Sequence, residues 1–488
     1  MMAIAAPQLE IAVLISGIAI LLVETLWSKI EPKLCAYAGI VVLTAVLIGS
    51  FFVSPDQGAH DGAFWNFYAA DALALFFKRF ELVTTIVVLV MMIDYAPVLQ
   101  RTADRAAPNL GEFFSLPLLT CAGLMYLVSA IDFIFIFVSL ELVTISFFVL
   151  VSFTRRDPAA LEAGIKYLIL GGVAAAFLVY GITWIFGVTG ETNLQRITTA
   201  LANGNVDTHA ASFAAVLIIV ALGFKIAAVP FQIWVPDVYQ GAPTPVTAFL
   251  SVGSKAAGFV VLLRVLQPFL MLPNLKQLVI VLALLTVIYG NLAALPQQNL
   301  KRLLGYSSVA HAGYLLIGVV CLDGTSLTFY LVAYLLMTLL SFGVLILVSQ
   351  QTGDEISSFE GLAKRQPFLA FGMLIAMVSL AGLPFTAGFF GKFFIFAGAV
   401  AQKQFLLVAV GIVTVACGFY YYLKVIRAMY WPASDQPSPG HDLITISPLS
   451  RFVMSALMVA TIVLGVYPQP ILRAINGGRD NLAVKSNR

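Results

Sequence analysis

Four ionisable side chains sit inside long apolar runs of this 488-residue chain: Glu141 in DFIFIFVSLELVTISFF, Lys225 in VLIIVALGFKIAAVPF, Lys255 in AFLSVGSKAAGFVVLL, and Lys392 at the close of GFFGKFF. A lysine stem reaches roughly 6 Å, whereas the midplane of a bilayer lies about 15 Å from either interface, so a central lysine cannot reach water along its own stem. Each such charge costs about 2.5–3.5 kcal/mol on insertion scales unless it is paired or hydrated. One reading is structural: an ion pair of Glu141 with Lys225, and two satisfied lysines. The other is a chain of titratable sites. Low-dielectric surroundings penalise an ammonium and a nearby carboxylate favours it, so changing the distance between such groups makes the amine take up or release a proton. A swing of about three pKa units is worth about 4 kcal/mol. Lifting one proton through ~180 mV costs about the same. The magnitudes match, so one switch of this kind suffices to drive one proton.

Other ionisable residues have plainer expectations. Lys166 stands a few residues into its run and can either join the chain or snorkel. His311, in SSVAHAGYLL, can relay protons because imidazole titrates near neutrality, or it can be a hydrogen-bonded core residue. Lys424, beside Tyr420–Tyr422, reads as an interface anchor, and Glu24 and Arg264 as side chains that reach the headgroups. Lys78, Arg79 and Glu81 form a local charge cluster expected on a solvated face. Asp132 occupies a tight turn, where a polar residue has no need of another role.

The elements that position these residues follow from composition. Hydrophobic residues make up 60% of the chain, charged residues only 10%, mean hydropathy is +0.97 and the net charge is +3. A spanning helix needs roughly 20 apolar residues, so the composition supplies about 14 spans. A water-soluble enzyme, a nucleic-acid binder and a disordered scaffold are excluded. Apolar runs place the spans near 8–27, 34–53, 72–93, 113–130, 133–153, 163–187, 212–236, 243–267, 275–295, 302–322, 327–349, 367–399, 404–430 and 450–474. No alternating ten-residue pattern favours a barrel, so the fold class is all-α and polytopic. The first run has no basic segment before it and reads as a retained span.

Connections after odd-numbered spans carry Lys29/Lys33, Arg101/Arg105, Arg155/Arg156, Lys301/Arg302 and Lys364/Arg365, while the 54–71 loop carries Asp56 and Asp61. Short basic loops stay on the cytoplasmic side, which puts both termini outside; only the basic tail (Arg479, Lys485, Arg488) fits this badly. Pro230 interrupts span seven, with Pro236 expected at its end, and Pro384 interrupts span twelve among Gly382, Gly388 and Gly391. Proline removes a helical hydrogen bond and clashes with the preceding turn, so both helices are expected to break near mid-membrane. The breaks lie an odd number of spans apart, the expected signature of an inverted repeat with its ion path at the broken helices. The expected organisation is a three-helix segment (1–112), a first five-helix repeat (113–267), a second inverted one (268–430), and a last helix with its tail (431–488).

Cys35, Cys121, Cys321 and Cys417 are scattered without a CxxC pair, which speaks against a disulfide framework, an iron–sulfur cluster or structural zinc. GFFGKFF lacks the first glycine and the hydroxyl residue of a phosphate loop. No cofactor site is expected in this chain, and no metal.

Four long segments carry a family resemblance: LEAGIKYLILGG (161–172), PDVYQGAPTPVTAFLSVGSKAAGF (236–259), LLGYSSVAHAGYLL (303–316) and SLAGLPFTAGFFGKFFIF (379–396). They resemble the antiporter-like subunit N of NADH–quinone oxidoreductase, respiratory complex I. The resemblance extends over nearly the whole chain. Ser251, Lys255 and Lys392 favour type N over the related types L and M, and the chain ends without the long lateral helix of type L. The resemblance implies a proton-pumping role, with Glu141 and Lys225 the coupled pair, Lys255 the central relay, Lys392 the terminal site and Lys166 auxiliary. It further implies partners in the membrane arm (subunit M and the small subunits K and J), with NADH, FMN, iron–sulfur clusters and quinone in partner subunits, and a bacterial inner-membrane location. A multisubunit cation/proton antiporter is the alternative. Gln232 stands where many relatives carry histidine, and glutamine orients water but does not titrate, so His311 or water would have to bridge there.

Overall fold

The computed structural model describes residues 5–27, 31–55, 63–102, 110–204, 206–431 and 444–475. Lys29, Asp56, Asp61, Arg105 and the tail with Arg479, Lys485 and Arg488 therefore fall outside the described residues. Helices α1 (Ala6–Leu26), α2 (Pro32–Ser50), α3 (Ala72–Thr102) and α4 (Leu110–Ser129) pack side by side. Next come α5 (Phe133–Val151) and α6 (Pro158–Thr189), the long connection that follows folding into a short helix α7 (Leu194–Ala202). Then α8 (Thr208–Ile226) and α9 (Val235–Gly241) are two halves of one interrupted helix. Helix α10 (Thr244–Phe249) passes through a π-turn (Leu250–Ser254) into α11 (Lys255–Phe269). Three long helices follow, α12 (Leu275–Ala294), α13 (Leu300–Val320) and α14 (Gly324–Thr352). A short α15 (Leu362–Arg365) leads into the second interrupted pair, α16 (Pro367–Ala381) and α17 (Ala387–Ala401), before α18 (Phe405–Tyr430) and α19 (Pro448–Val466).

Thirteen of the described helical stretches are long and apolar enough to cross a bilayer, and the α16–α17 pair supplies the fourteenth. The molecule is an all-α polytopic membrane protein. Its centre is formed by α10–α11, α13 and α14, which are buried almost throughout, while α1 and α6 expose most of their apolar surface. Outward-facing Ile15, Val41, Phe51, Ile165, Ile169 and Phe452 make the apolar exterior that lipid requires.

Close backbone approach fixes the centre. A Cβ on Gly313 would stand 2.5 Å from the Val287 nitrogen, and one on Gly290 would stand 2.3 Å from the Ala310 nitrogen. Only glycine lets α12 and α13 meet at that distance, as small residues do wherever lipid gives helices no apolar driving force. His311 is held between these two contacts.

Both breaks fall where proline places them. Helix α8 stops at Ile226 and Ala227 takes φ 63°, and α16 stops at Ala381 with Gly382 at φ 86°. Pro236, expected at the end of its span, instead opens α9. Its ring needs no hydrogen-bond donor in a first turn.

The expectation of a solvated charge cluster is corrected, and two other charges gain named partners. Lys78 and Glu81 are wholly buried instead of lying on a solvated face, Lys78 pairing with Glu10 of α1 at 2.8 Å. Arg79 donates to the Ser50 carbonyl at 2.8 Å. Glu24, late in α1, accepts through Oε1 from the Gly111 N–H at 2.8 Å, serving the unpaired first turn of α4. Arg264, likewise expected at the headgroups, makes a two-pronged pair with Asp71 at 2.8 Å for each bond. Burial pushes the Asp71 carboxyl up, and the Arg264 guanidinium with the Ala74 N–H more than offsets it, holding the group below the usual carboxylate range. A depressed carboxyl contributes stability that is present above its unfolded value and lost as pH falls through the folded one. Thermal stability of the detergent-solubilised protein is therefore expected to drop below about pH 4. Asp71→Asn should remove that acid-sensitive component, at a cost on the order of 2 kcal/mol at neutral pH. An unchanged acid profile in the variant would contradict the assignment.

Candidate functional site

Lys225 occupies the last turn of α8, where the helix dipole favours a cation. The groups freed by the break are satisfied nearby, the Val229 N–H donating to Thr286 Oγ1 at 3.0 Å and Trp234 Nε1 to the Phe224 carbonyl at 3.1 Å. Lys225 Nζ donates to Thr144 Oγ1 at 2.9 Å. Thr144 lies one turn along α5 from Glu141, whose Oε1 is buried without a hydrogen-bond partner. Glu141 and Lys225 thus face each other across a threonine hydroxyl and do not form the direct ion pair of the structural reading. Leu140, Thr144, Gly171, Ala174, Phe224 and Lys225 line a crevice beside them with room for about one water.

Helix α11 carries the row onwards. A Cβ on Gly258 would stand 3.6 Å from Lys225 Cγ, so the lysine stem lies against α11 one turn beyond Lys255. Lys255 directly follows the π-turn, a local widening that frees backbone groups and recurs at functional sites. Its Nζ donates to the Ser308 carbonyl at 2.5 Å and to Ser308 Oγ, and lies 5.5 Å from the centre of the Tyr334 ring. The Ser308 hydroxyl also meets the Tyr334 hydroxyl at 2.9 Å and that of Tyr239 at 3.1 Å.

One turn further along α13, His311 is buried with both ring nitrogens engaged, Nδ1 with the Tyr330 hydroxyl at 2.7 Å and Nε2 with that of Tyr422 at 3.1 Å. Its ring also abuts Tyr314 and Tyr334. Lys392 closes the row, with Nζ 5.1 Å from the centre of the Tyr314 ring. That ammonium donates to the Leu380 and Ala381 carbonyls, each at 2.9 Å. These are orphan carbonyls at the end of α16, so the second break itself builds a cation site.

Lys225, Lys255, His311 and Lys392 therefore belong to one buried row crossing the centre of the bundle, with the half-buried Glu141 at its start. Lys166 does not. Its side chain is 40% exposed and pairs with Glu162 and Asp237 at 2.6 Å each, in a network that also holds Arg302. Lys424 donates to the Gln297 carbonyl at 3.0 Å. Asp132 caps α5, accepting from the Ile134 N–H at 2.8 Å. Gln232 is buried beside the first break, its Oε1 without a partner.

The hydroxyl residues between the charges escaped the sequence reading. Thr144, Ser308, Tyr239, Tyr314, Tyr330, Tyr334 and Tyr422 connect what the ionisable residues alone leave apart. Part of this was visible in YSSVAHAGY, where Ser307, His311 and Tyr314 recur at helical spacing on one face. Tyr330 and Tyr334 repeat the pattern one turn apart.

Residues 130–418, a range that takes in Glu141 to Lys392, match the family model described as NADH:quinone oxidoreductase/Mrp antiporter, TM. A curated subunit N 2 of NADH-quinone oxidoreductase from Chloroherpeton thalassium is 36% identical, covering 94% of this chain and 91% of the relative. The chain belongs to the NADH-quinone oxidoreductase subunit N family. Another subunit N, from Heliobacterium modesticaldum, is 38% identical over 95% of this chain and 96% of its own length. Among solved structures, a chain of respiratory complex I from Thermus thermophilus superposes with TM-score 0.81 at 31% identity, covering 96% of this chain and 99% of that one. A chain of the Mrp complex from a Dietzia species shares the fold, with TM-score 0.81 at 21% identity over 98% and 97% of the two chains. The broken helices and the buried row thus lie in a subunit N scaffold.

Proposed function

We propose that this chain translocates protons as the antiporter-like subunit N of a NADH-quinone oxidoreductase, respiratory complex I. Protons move along the row from Glu141 through Lys225, Lys255 and His311 to Lys392, driven by electron transfer to quinone in partner subunits. The observation that carries this reading is the row of charges across the bundle centre with hydroxyl groups of Thr144, Ser308, Tyr330 and Tyr422 bonded to its members, the Lys225 stem lying against α11 one turn from Lys255. Glu141 and Lys225 form the switch: closing onto Glu141 raises the affinity of the amine for its proton, and returning to Thr144 lowers it. Pro230 and Pro384 are the hinges that place Lys225 and Lys392 at the ends of half-helices, and Lys166 is an auxiliary charge at the rim.

In this reading residues 113–267 and 268–430 are two inverted halves, flanked by 1–112 and 431–488. NADH, FMN, iron–sulfur clusters and quinone belong to partner subunits, which include the antiporter-like subunit M and the small subunits K and J. Among the described residues, no group of three or more His, Cys, Asp or Glu could hold a metal ion. The membrane is a bacterial inner membrane, crossed many times, with the basic connections on the cytoplasmic side.

Likeness in fold to the Mrp chain supports a second reading, a subunit of a multisubunit cation/proton antiporter. Purification through an affinity tag on this chain separates the two. The complex I reading expects NADH:quinone reductase activity to copurify and proton pumping in vesicles to be independent of sodium. Sodium-dependent exchange without any NADH dehydrogenase partner would favour the antiporter.

A further inference from the structure

A second buried polar group lies in the N-terminal helices, away from the row. Glu10 of α1, Tyr68 before α3 and Lys78 of α3 meet in the interior. The Tyr68 hydroxyl donates to Glu10 Oε1 at 2.9 Å, and Lys78 Nζ pairs with the same oxygen at 2.8 Å and donates to the Tyr68 hydroxyl. One turn further along α3, Glu81 is fully buried, and neither carboxyl oxygen has a hydrogen-bond partner. An isolated carboxylate in such a place costs far more than one pair repays. The geometry suits a carboxylic acid that holds a proton.

Register shows what Glu81 faces. Helix α3 runs antiparallel to α10–α11, joined at one end by Asp71 and Arg264. Ten residues on from Asp71, and eleven back from Arg264, Glu81 meets Gly253. A Cβ there would stand 2.7 Å from Glu81 Oε2. Gly253 belongs to the π-turn, and Lys255 follows two residues later. Helical rise puts Glu10 and Lys78 about 6–9 Å, and Glu81 about 14 Å, below the face where α1 and α3 begin, roughly half the depth of a ~30 Å hydrocarbon core. The side chains therefore step inward from that face to the middle of the membrane.

We propose that Glu81 is a further proton-binding site, linking Lys255 to the N-terminal face of the membrane through Lys78, Tyr68 and Glu10. This rests on the pumping role proposed above for the row. Lys255 itself points away from Glu81, towards Ser308 of α13. In the outward step its ammonium therefore gives up its proton to water at the π-turn, which delivers a proton to the Glu81 carboxylate, leaving a neutral amine and a carboxylic acid. The acid then passes the proton to the Lys78 amine or the Glu10 carboxylate and is again a carboxylate. The titratable and charged groups of this cluster are Lys78 on the same helix, Cys121 of α4 beside Glu81, Glu10 and Tyr68, Tyr126 of α4 beside Glu10, and the Asp71–Arg264 pair beside Lys78. The open glycine at 253 leaves the carboxyl room at the π-turn.

The test uses the whole complex in inverted membrane vesicles, with protons pumped per electron normalised to the amount of assembled complex. Glu81→Gln keeps the size and neutrality of a protonated carboxyl but carries no proton. It is expected to lower pumping about threefold or more, with Glu81→Asp restoring part of it. Wild-type pumping in Glu81→Gln, alongside loss of pumping in Lys225→Ala, overturns the site and leaves the row intact. Wild-type pumping in both variants overturns the row and this site with it. If Glu81→Gln fails to assemble, Tyr68→Phe removes only the hydroxyl and is expected to slow pumping by a similar factor; unaltered pumping there also overturns the proposal.

Discussion

Lys225→Ala is expected to reduce proton pumping by the assembled complex about tenfold or more, the loss that removal of one obligatory relay worth at least ~1.4 kcal/mol would produce. The lysine has one hydrogen-bond partner, Thr144, and a carboxylate one turn further that it does not touch. Alanine leaves the α8 break intact, because Ala227, Pro230 and the Trp234–Phe224 bond set that geometry without the lysine. The effect should therefore fall on proton movement and on coupled quinone reduction, with the amount of complex little changed. Lys225→Arg keeps a charge that does not leave at physiological pH and should block the relay as well. Pumping and quinone reductase activity are both measured in inverted vesicles; wild-type values in Lys225→Ala would remove this residue from the path.

The largest structural effect is expected at Gly388. A Cβ there would stand 1.9 Å from the Ser379 carbonyl oxygen, a backbone atom that cannot move without moving α16. The Gly388 N–H also donates to Ser379 Oγ at 3.1 Å, tying the two half-helices together across the break. Gly388→Ala should push α17 off α16 at a cost of about 3 kcal/mol or more. Lys392, one turn beyond on α17, would then leave the Leu380 and Ala381 carbonyls that hold its ammonium. Lower melting temperature of the purified complex and loss of pumping are expected together. A variant with wild-type stability would show that the break tolerates the extra carbon.

Much of the architecture was readable before any coordinate, because bilayer thickness sets span length and apolar runs of that length are hard to hide. Pro230 and Pro384 located both breaks for the same local reason, the missing hydrogen bond. Charge placement was readable only where a residue sat deep in one run, as Glu141, Lys225, Lys255 and Lys392 do. Lys78 and Glu81 were misread because i,i+3 spacing says that two residues share a face and not which way that face points. The partner of Lys78, Glu10, lies two helices earlier in the chain. For Arg264 and Glu24 the sequence showed a position late in a span but not the partners, Asp71 and the Gly111 N–H, which other helices bring within reach. The π-turn before Lys255 has no sequence signature here, since Ser251, Gly253 and Ser254 fit an ordinary small-residue helix. The tyrosines lay in plain view, but an aromatic in an apolar run is usually core, and only the fold gathers Tyr314, Tyr330, Tyr334 and Tyr422 around His311.

A structure of the entire assembly, resolved finely enough to locate individual waters along the bundle centre, addresses the central claim most directly. The account predicts ordered water bridging Glu141, Lys225 and Lys255, and continuing beside His311 to Lys392, so that each ionisable group touches the next through solvent or hydroxyl. Dry, close-packed hydrocarbon between Lys225 and Lys255, or lysine ammonium groups turned out among the acyl chains, would contradict it.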